Sequence, residues 1–212
     1  MTRSLLRHHA PAMLAAVAFA ALAGGCSFSR PAPVKQEYLL DVPSPPPVAK
    51  PQQATLQVRA VTVAAPFRGR SFVYRETDLR YTSDFYTEFV VAPGAMLGDG
   101  TARALERAHA FARVIPPGGS AEGDFVLDGF FDAFYIDLRD PAKPAAEVSV
   151  TYFLSRGDPL AGVPFWSKQY RRRVPIVDGS STEKQAAALS TAFGEIMGEL
   201  ATDLAAVNLP KP

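Results

Sequence analysis

Residues that could carry metal, redox or nucleophilic chemistry are few in this chain of 212 residues. It contains one cysteine, Cys26, and three histidines, His8, His9 and His109. A single cysteine excludes an internal disulfide and any zinc or iron–sulfur site built from several thiolates. For His109, the favoured interpretation is an exposed histidine on a helix.

Motifs for nucleotide chemistry and acyl transfer are also missing from the sequence. No Gly-x-x-x-x-Gly-Lys-Ser/Thr phosphate loop and no Gly-x-Ser-x-Gly nucleophile elbow occurs. The Gly98-Asp99-Gly100 run lacks the third glycine of a dinucleotide fingerprint. We therefore predict that the chain is not an enzyme, with no catalytic residue, no cofactor and no metal site.

Three aspartates, Asp124, Asp128 and Asp132, share one face of a predicted strand. Neighbours at this spacing lie ~13 Å apart along a strand. Calcium ligands lie within ~2.6 Å of the ion. The pattern therefore favours a solvated strand face over a calcium site.

Two further groups could form contact surfaces. The basic triplet Arg171-Arg172-Arg173 alternates between the two faces of a strand. It could contact anionic lipid headgroups or an acidic partner, or it could protect an edge strand from aggregation. Bulky side chains at Phe130, Phe131, Phe134 and Tyr135 should cover both faces of another strand. One face should meet helices, and the other could line an apolar groove or a subunit interface.

Cys26 follows Leu22-Ala23-Gly24-Gly25, and this run resembles a bacterial lipobox. Small side chains let a peptidase approach the backbone, and only a thiol can accept a thioether-linked diacylglycerol. The pattern usually has leucine three residues before the cysteine, where this chain has Ala23. We predict that Cys26 is lipidated; the alternative is a plain signal peptide with a chance cysteine.

The residues before Cys26 fit a lipoprotein signal peptide over 1–25. Arg3 and Arg7 lie in a polar start, and the apolar run Met13–Ala23 is 11 residues long. A membrane-spanning helix needs ~20 apolar residues, so this run is too short to remain as an anchor. Ser27 follows the cysteine, where an aspartate would favour retention in the inner membrane. We therefore expect a lipid-anchored protein on the outer membrane, facing the periplasm.

Proline is concentrated between Pro31 and Pro51, and such segments favour extended polyproline II. We predict a lipidated, proline-rich linker over 26–36, one domain over 37–208 and a tail over 209–212. The alternative is a disordered leash that continues to residue 52.

Periodicity within the domain predicts strands and two helices. Helices are predicted from 95 to 111 and from Ala186 to Val207. Ser180 with Glu183, or Thr182 with Gln185, could form a capping box for the second. Alternation and composition predict strands at 36–42, 56–63, 71–76, 78–82, 85–91, 124–138, 147–156 and 165–174.

These elements indicate an α+β fold. We expect a mixed or mainly antiparallel sheet of about six strands, with two amphipathic helices packed on one face. Lys and Arg number 22 against 21 Asp and Glu, so no whole-chain basic field exists to bind nucleic acid.

The order of these segments resembles the ABC-type transport auxiliary lipoproteins, a family of outer-membrane components of MCE-type or paraquat-inducible-type lipid-transport systems. The lipobox is followed by Tyr38-Leu39-Leu40, the strand Leu56–Val63, Phe72–Arg75 and Asp78–Tyr81, and then by a helix that begins near Pro93. The resemblance covers roughly residues 37–208. The family has a tryptophan before the helix, a position that Phe89 takes here.

The resemblance implies a non-enzymatic lipoprotein that docks a periplasmic conduit to the outer membrane. Its direct partner would be an MCE-domain protein, with an inner-membrane permease and ATPase as indirect partners. Some members are expected to form a ring of identical subunits around the end of the conduit. Two alternatives stay open: a periplasmic carrier that holds an acyl chain between sheet and helices, and an assembly or pilot lipoprotein for outer-membrane machinery.

Overall fold

The computed structural model describes residues 34–158, 163–177 and 181–210. The predicted signal peptide and the predicted lipidation site, Cys26, lie outside these residues. No helix within the described ranges is both long and apolar enough to cross a membrane.

Nine strands and two α-helices follow one another along the described residues. In chain order they are β1 (Gln36–Tyr38), β2 (Gln52–Val58), β3 (Thr62–Val63), β4 (Ser71–Arg75), β5 (Tyr81–Phe89), α1 (Pro93–Arg107), β6 (Phe111–Ile115), β7 (Phe125–Asp137), β8 (Ala145–Arg156), β9 (Trp166–Pro175) and α2 (Thr182–Ala206), with a short 3-10 helix at Ala65–Phe67.

β7 organises the sheet because both of its edges are paired. β8 runs antiparallel to it along its whole length, from Phe125 opposite Arg156 to Asp137 opposite Ala145. Along the other edge, β2, β3 and β4 pair with β7 in turn, all in parallel. β9 continues the sheet beyond β8, β6 continues it beyond β2, and β5 and then β1 continue it beyond β4.

The sheet is mixed, as predicted, but the expectation of about six strands was wrong, because the described residues form nine. The segment predicted at 56–63 is broken into β2 and β3, where the apolar phase changes at Ala60-Val61. The segments predicted at 78–82 and 85–91 join into the single strand β5.

The predicted end of the first helix was also wrong. α1 ends at Arg107, and Phe111 begins β6 rather than closing the helix. His109 has a φ of 50°, in the left-handed region that commonly ends helices. The N–H of Ala110 then donates to the Leu105 oxygen at 3.1 Å. An apolar side chain at position 111 fits both the helical period and a buried strand. The apolar pattern of the helix therefore extended, in the sequence, past the residue where α1 ends.

Both helices pack on the same face of the sheet, as predicted. Thr101 Oγ1 of α1 lies 2.8 Å from the hydroxyl of Tyr152 on β8. Phe193 of α2 lies against Phe131 of β7, with ring centroids 5.9 Å apart, and Phe131 meets Tyr152 edge-on. Glycine at position 100 lets α1 pack closely against Phe193 of α2, because a Cβ there would lie 2.8 Å from the Phe193 ring.

The N-terminus of α2 is capped by Ser181. Its Oγ accepts a hydrogen bond from the N–H of Lys184 at 3.3 Å, a side-chain cap that the sequence analysis did not assign to this residue. The capping box with Thr182 at the cap was wrong, because Thr182 is the first helical residue. Ser180 lies outside the described residues.

Residues 39–51, called here the proline strap, lie against both helices. The N–H of Asp41 donates to Ser190 Oγ of α2 at 3.1 Å, and the N–H of Val48 donates to the Ala108 oxygen at the end of α1 at 2.8 Å. Pro45 within the strap is buried. These residues are therefore ordered by contact with the helices, which contradicts a disordered leash reaching residue 52.

Gly194 and Gly198 give a matched test of the strap, because they lie one turn apart on α2. A Cβ at 194 would lie 2.7 Å from Pro43 Cδ, whereas a Cβ at 198 would meet only Pro45 Cβ, at 3.9 Å. Alanine stabilises a helix interior by ~1 kcal/mol relative to glycine where the methyl has room. We expect Gly198→Ala to raise the free energy of unfolding by that amount. Gly194→Ala should lower it by about 1–3 kcal/mol, because a stiff proline ring must move.

Urea unfolding followed by circular dichroism measures both variants against the unchanged chain. Equal stabilisation by the two alanines would show that Pro43 does not pack on α2 in solution.

Candidate functional site

The sequence-predicted site residue, Cys26, falls outside the described residues, so the candidate surfaces described here come from the folded domain. His109 is exposed directly after α1. Its positive φ gives it a role in ending the helix, which the sequence prediction of an exposed helical histidine did not include.

The three aspartates predicted to form a solvated face are separated. Asp124 Oδ2 accepts the N–H of Thr55 at 2.8 Å, and Asp128 lies 3.6 Å from Arg59 in an exposed ion pair. Asp132 is left out of the pairing with β8, where β7 carries a bulge between Phe131 and Ala133. Within the described ranges no group of three or more His, Cys, Asp or Glu side chains could hold a metal ion.

The Arg171-Arg172-Arg173 triplet alternates between the faces of β9, as predicted, and each guanidinium meets a carboxylate of the same chain. Arg172 faces α2 and pairs with Glu199 and, at 3.5 Å, with Glu195. On the opposite face, Arg171 pairs with Glu147 and Arg173 pairs with Asp137. The triplet therefore joins β9 to its neighbours on both faces of the sheet.

The charged cluster is formed by Asp137 on β7, Glu147 on β8, Arg171 and Arg173 on β9, and Arg139 just after β7. The two carboxylate side chains are only 1% and 2% exposed. Arg139 donates from Nη2 to Asp137 Oδ2 at 2.9 Å and from Nε to Oδ1 at 3.1 Å. Buried carboxylates are tolerated when they are paired and hydrogen-bonded in this way.

Hydrogen bonds from Arg139, with a smaller contribution from Arg173, hold the pKa of the Asp137 carboxyl well below its usual range, although burial acts in the opposite direction. The same bonds raise the pKa of both guanidinium groups. A carboxylate ionised at every physiological pH cannot exchange protons with a substrate. The ion pairs of the charged cluster join β7, β8 and β9 on this face of the sheet.

Aromatic side chains border the charged cluster. Tyr135 stacks on Phe67 with centroids 5.4 Å apart and meets Tyr81 edge-on at 5.7 Å. Arg75 donates to the Tyr135 hydroxyl at 3.3 Å and lies 5.5 Å over the Tyr81 ring. Beside this group is an open depression of about 500 Å³, lined by Glu76, Thr77, Asp78, Asp137, Arg139, Asp140 and Arg173.

The predicted aromatic cluster on β7 is divided between the two faces. Phe131 and Phe134 are buried on the helix face, and Tyr135 is buried on the other. Phe130, 40% exposed, is the member that reaches solvent. The bulge at Asp132 explains why Phe131 and Phe134 share a face although they are three residues apart.

The layer between sheet and helices is occupied by side chains of the chain itself. Three fully buried side chains in this layer are Tyr152, Phe193 and Leu200. The hydroxyl groups of Thr101 and Tyr152 are hydrogen-bonded to each other. An acyl chain held between sheet and helices, as the carrier alternative requires, would have to displace these groups.

A second surface feature is the aromatic bulge, Phe85 and Tyr86 on β5. Ser71 of β4 pairs with Glu88 and Val73 pairs with Ser83, so β5 carries extra residues between these two pairs. Asp84 Oδ1 accepts the N–H groups of Tyr86 at 2.8 Å and Thr87 at 3.2 Å. The sequence prediction of a strand over 85–91 missed this bulge, although an aspartate two residues before Tyr86 is a signal for such a turn.

Comparison with solved structures finds proteins that superpose on this domain to different degrees. A Xanthomonas campestris protein of the DUF330 family superposes with a TM-score of 0.70 at 21% identity, over 81% of this chain and 95% of that chain. An uncharacterized protein superposes with a TM-score of 0.62 at 15% identity, over 79% and 97%. A Neisseria meningitidis lipoprotein, GNA1162, is more distant, with a TM-score of 0.38 at 14% identity, over 73% and 99%.

In sequence, no family model and no curated protein matches the chain. The first two structural likenesses show that the domain shares the fold of those proteins, and at these identities they show the fold alone.

The charged cluster yields a stability prediction for Asp137→Asn. The amide keeps the shape of the side chain but loses its charge-assisted hydrogen bonds to Arg139 and Arg173. We expect a loss of about 2 kcal/mol in the free energy of unfolding, since hydrogen bonds to charged groups contribute on that order. Asp78→Asn is the matched control. Asp78 also pairs with Arg139, but its side chain is 81% exposed, so its loss should be much smaller.

The free energy of unfolding should also depend on pH differently in the unchanged chain and in Asp137→Asn. Because the folded-state pKa of Asp137 is lowered, its contribution is complete above the ordinary unfolded value of about 3.9 and is lost as the pH falls below it. Between about pH 5 and pH 3 the unchanged chain should therefore lose more stability than Asp137→Asn. Parallel pH profiles from urea unfolding would contradict this assignment of Asp137.

Proposed function

We propose that this chain is a lipid-anchored, periplasm-facing protein of the outer membrane that serves as the auxiliary component of an ABC/MCE-type lipid-transport assembly. The observation that carries the proposal is the chain's single cysteine, which stands at the end of a lipobox-like run behind a short apolar segment. The fold shared with the DUF330 protein is compatible with it.

The interior of the domain supports a binding role over a chemical one. The layer between sheet and helices is filled by buried side chains. The buried carboxylates Asp137 and Glu147 are both matched by arginines. In this proposal the folded body is a rigid adaptor, and its surface holds the end of a periplasmic MCE-domain conduit whose permease and ATPase lie in the inner membrane.

Anchoring through Cys26 follows from general membrane energetics. One acyl chain binds a bilayer only marginally, whereas two or more hold a protein stably. A processed lipoprotein carries several acyl chains on its N-terminal cysteine, so no membrane-spanning helix is required.

Cys26→Ser tests the anchor. In cells fed labelled palmitate, we expect the unchanged chain to take up label and to fractionate with the outer membrane. The variant should carry no label, keep its signal segment uncleaved at this position and leave the outer-membrane fraction. Intact mass spectrometry of the mature protein checks the starting residue. A mature N-terminus upstream of Cys26, or equal labelling of both proteins, would contradict lipidation.

Co-purification from mild detergent tests the partner. A C-terminally tagged, lipidated chain should bring down an MCE-domain protein, identified by mass spectrometry, and a tagged unrelated outer-membrane lipoprotein should not. Recovery of stoichiometric phospholipid in an organic extract of the purified chain, with no MCE-domain protein, would instead support the carrier. Absence of an MCE-domain protein from every preparation would overturn the adaptor.

A further inference from the structure

The aromatic bulge exposes large apolar side chains that the core does not use. Phe85 is 72% exposed and Tyr86 is 44% exposed. The two rings meet edge-on with centroids 5.1 Å apart. The ammonium group of Lys35 lies 5.5 Å over the Phe85 ring. These three residues form one amphipathic projection, called here the aromatic knob.

The exposure of the aromatic knob is imposed by the backbone. Asp84 Oδ1 accepts hydrogen bonds from the N–H groups of Tyr86 and Thr87, so the bulge is a hydrogen-bonded turn and not a frayed strand. Thr87 itself is buried. The fold therefore holds two adjacent rings outward at a bulge, a feature that is over-represented at sheet edges and next to functional sites.

The knob lies where the N-terminal segment enters the domain. β1 pairs in parallel with β5, with Gln36 opposite Thr87, and Lys35 directly precedes β1. The acids nearest to Lys35 are already paired: Glu88 with Lys35 at 2.9 Å and Glu37 with Arg70. Asp84, the acid next to the rings, accepts hydrogen bonds from the N–H groups of Tyr86 and Thr87 and from the Tyr74 hydroxyl.

The segment before Lys35 is short. Eight residues separate Lys35 from Cys26, and even fully extended this stretch spans only about 30 Å. Residues 26–35 include Arg30 and Lys35 and contain no Asp or Glu. Lipidation of Cys26 would therefore hold the knob within reach of the bilayer, with cationic side chains on the intervening chain.

We propose that the aromatic knob inserts into the headgroup region of the membrane that holds the anchor, so that lipid is its occupant. The inference rests on the proposed lipidation of Cys26. Aromatic rings with one polar edge, flanked by a lysine whose stem can lie along apolar surface, are typical of membrane interfaces. Contact through the knob adds a second attachment point to the acyl anchor and fixes which side of the sheet faces the bilayer.

Fluorescence quenching tests the insertion. The chain has one tryptophan, Trp166, which is replaced in the background variant Trp166→Phe. Phe85→Trp and Leu79→Trp are then made separately in the full-length lipidated protein. Leu79, in the turn between β4 and β5, is 94% exposed and serves as the exposed control outside the knob. Each protein is reconstituted into vesicles of phosphatidylethanolamine and phosphatidylglycerol, with or without bromine atoms high on the acyl chains.

We expect Phe85→Trp to lose fluorescence on brominated vesicles and to show a blue-shifted emission, while Leu79→Trp is unchanged. Vesicle flotation is measured on the same samples. Protein that does not float has no anchor, which is a failure of the proposed function. Protein that floats without quenching of Phe85→Trp, or with equal quenching of both variants, overturns the knob as the membrane contact. A spectral shift of Phe85→Trp that occurs only when an MCE-domain protein is added would assign the knob to that protein instead.

Discussion

The pairing of β7 is the constraint on which the rest of the fold depends. Within the described residues four strands are hydrogen-bonded to it: β8 along one edge, and β2, β3 and β4 in turn along the other. One additional residue, Asp132, changes the phase of β7 partway along. Beyond it, Phe134 joins Phe131 under the helices, while Tyr135 and Asp137 turn to the opposite face. The bulge therefore produces an apolar face and a charged face on one strand.

Sequence periodicity identified the helices and strands that have one clearly apolar face and one clearly polar face. The alternation of Val148, Val150, Tyr152 and Leu154 predicted β8, and the apolar stripe of α2 predicted its length within a few residues. The arginine triplet was correctly assigned to both faces of a strand. In each of these segments the order of apolar and polar side chains fits only one type of secondary structure. The sequence of the segment alone was therefore sufficient to predict it.

The remaining features depend on distant contacts. β6 was missed because Phe111 fits the period of α1, and only the positive φ of His109 shows where the helix stops. The partners of Asp137 include Arg173, far away in the chain, and no spacing rule predicts such a pair. The proline content of residues 39–51 left a disordered leash open as an alternative, yet Pro43 and Pro45 lie against the glycines of α2. For Cys26 the sequence remains the source of the prediction.

The parallel pairing of β1 with β5 has a mechanical consequence. In the lipid-anchored protein proposed above, tension on the N-terminus would reach the domain through Lys35 and then pass along β1, whose three residues are in register with Thr87, Glu88 and Phe89. Tension along a strand loads its cross-strand bonds in shear, all at once, instead of peeling them one by one. The short edge strand β1 would therefore bear such a load before the strap and the helices do.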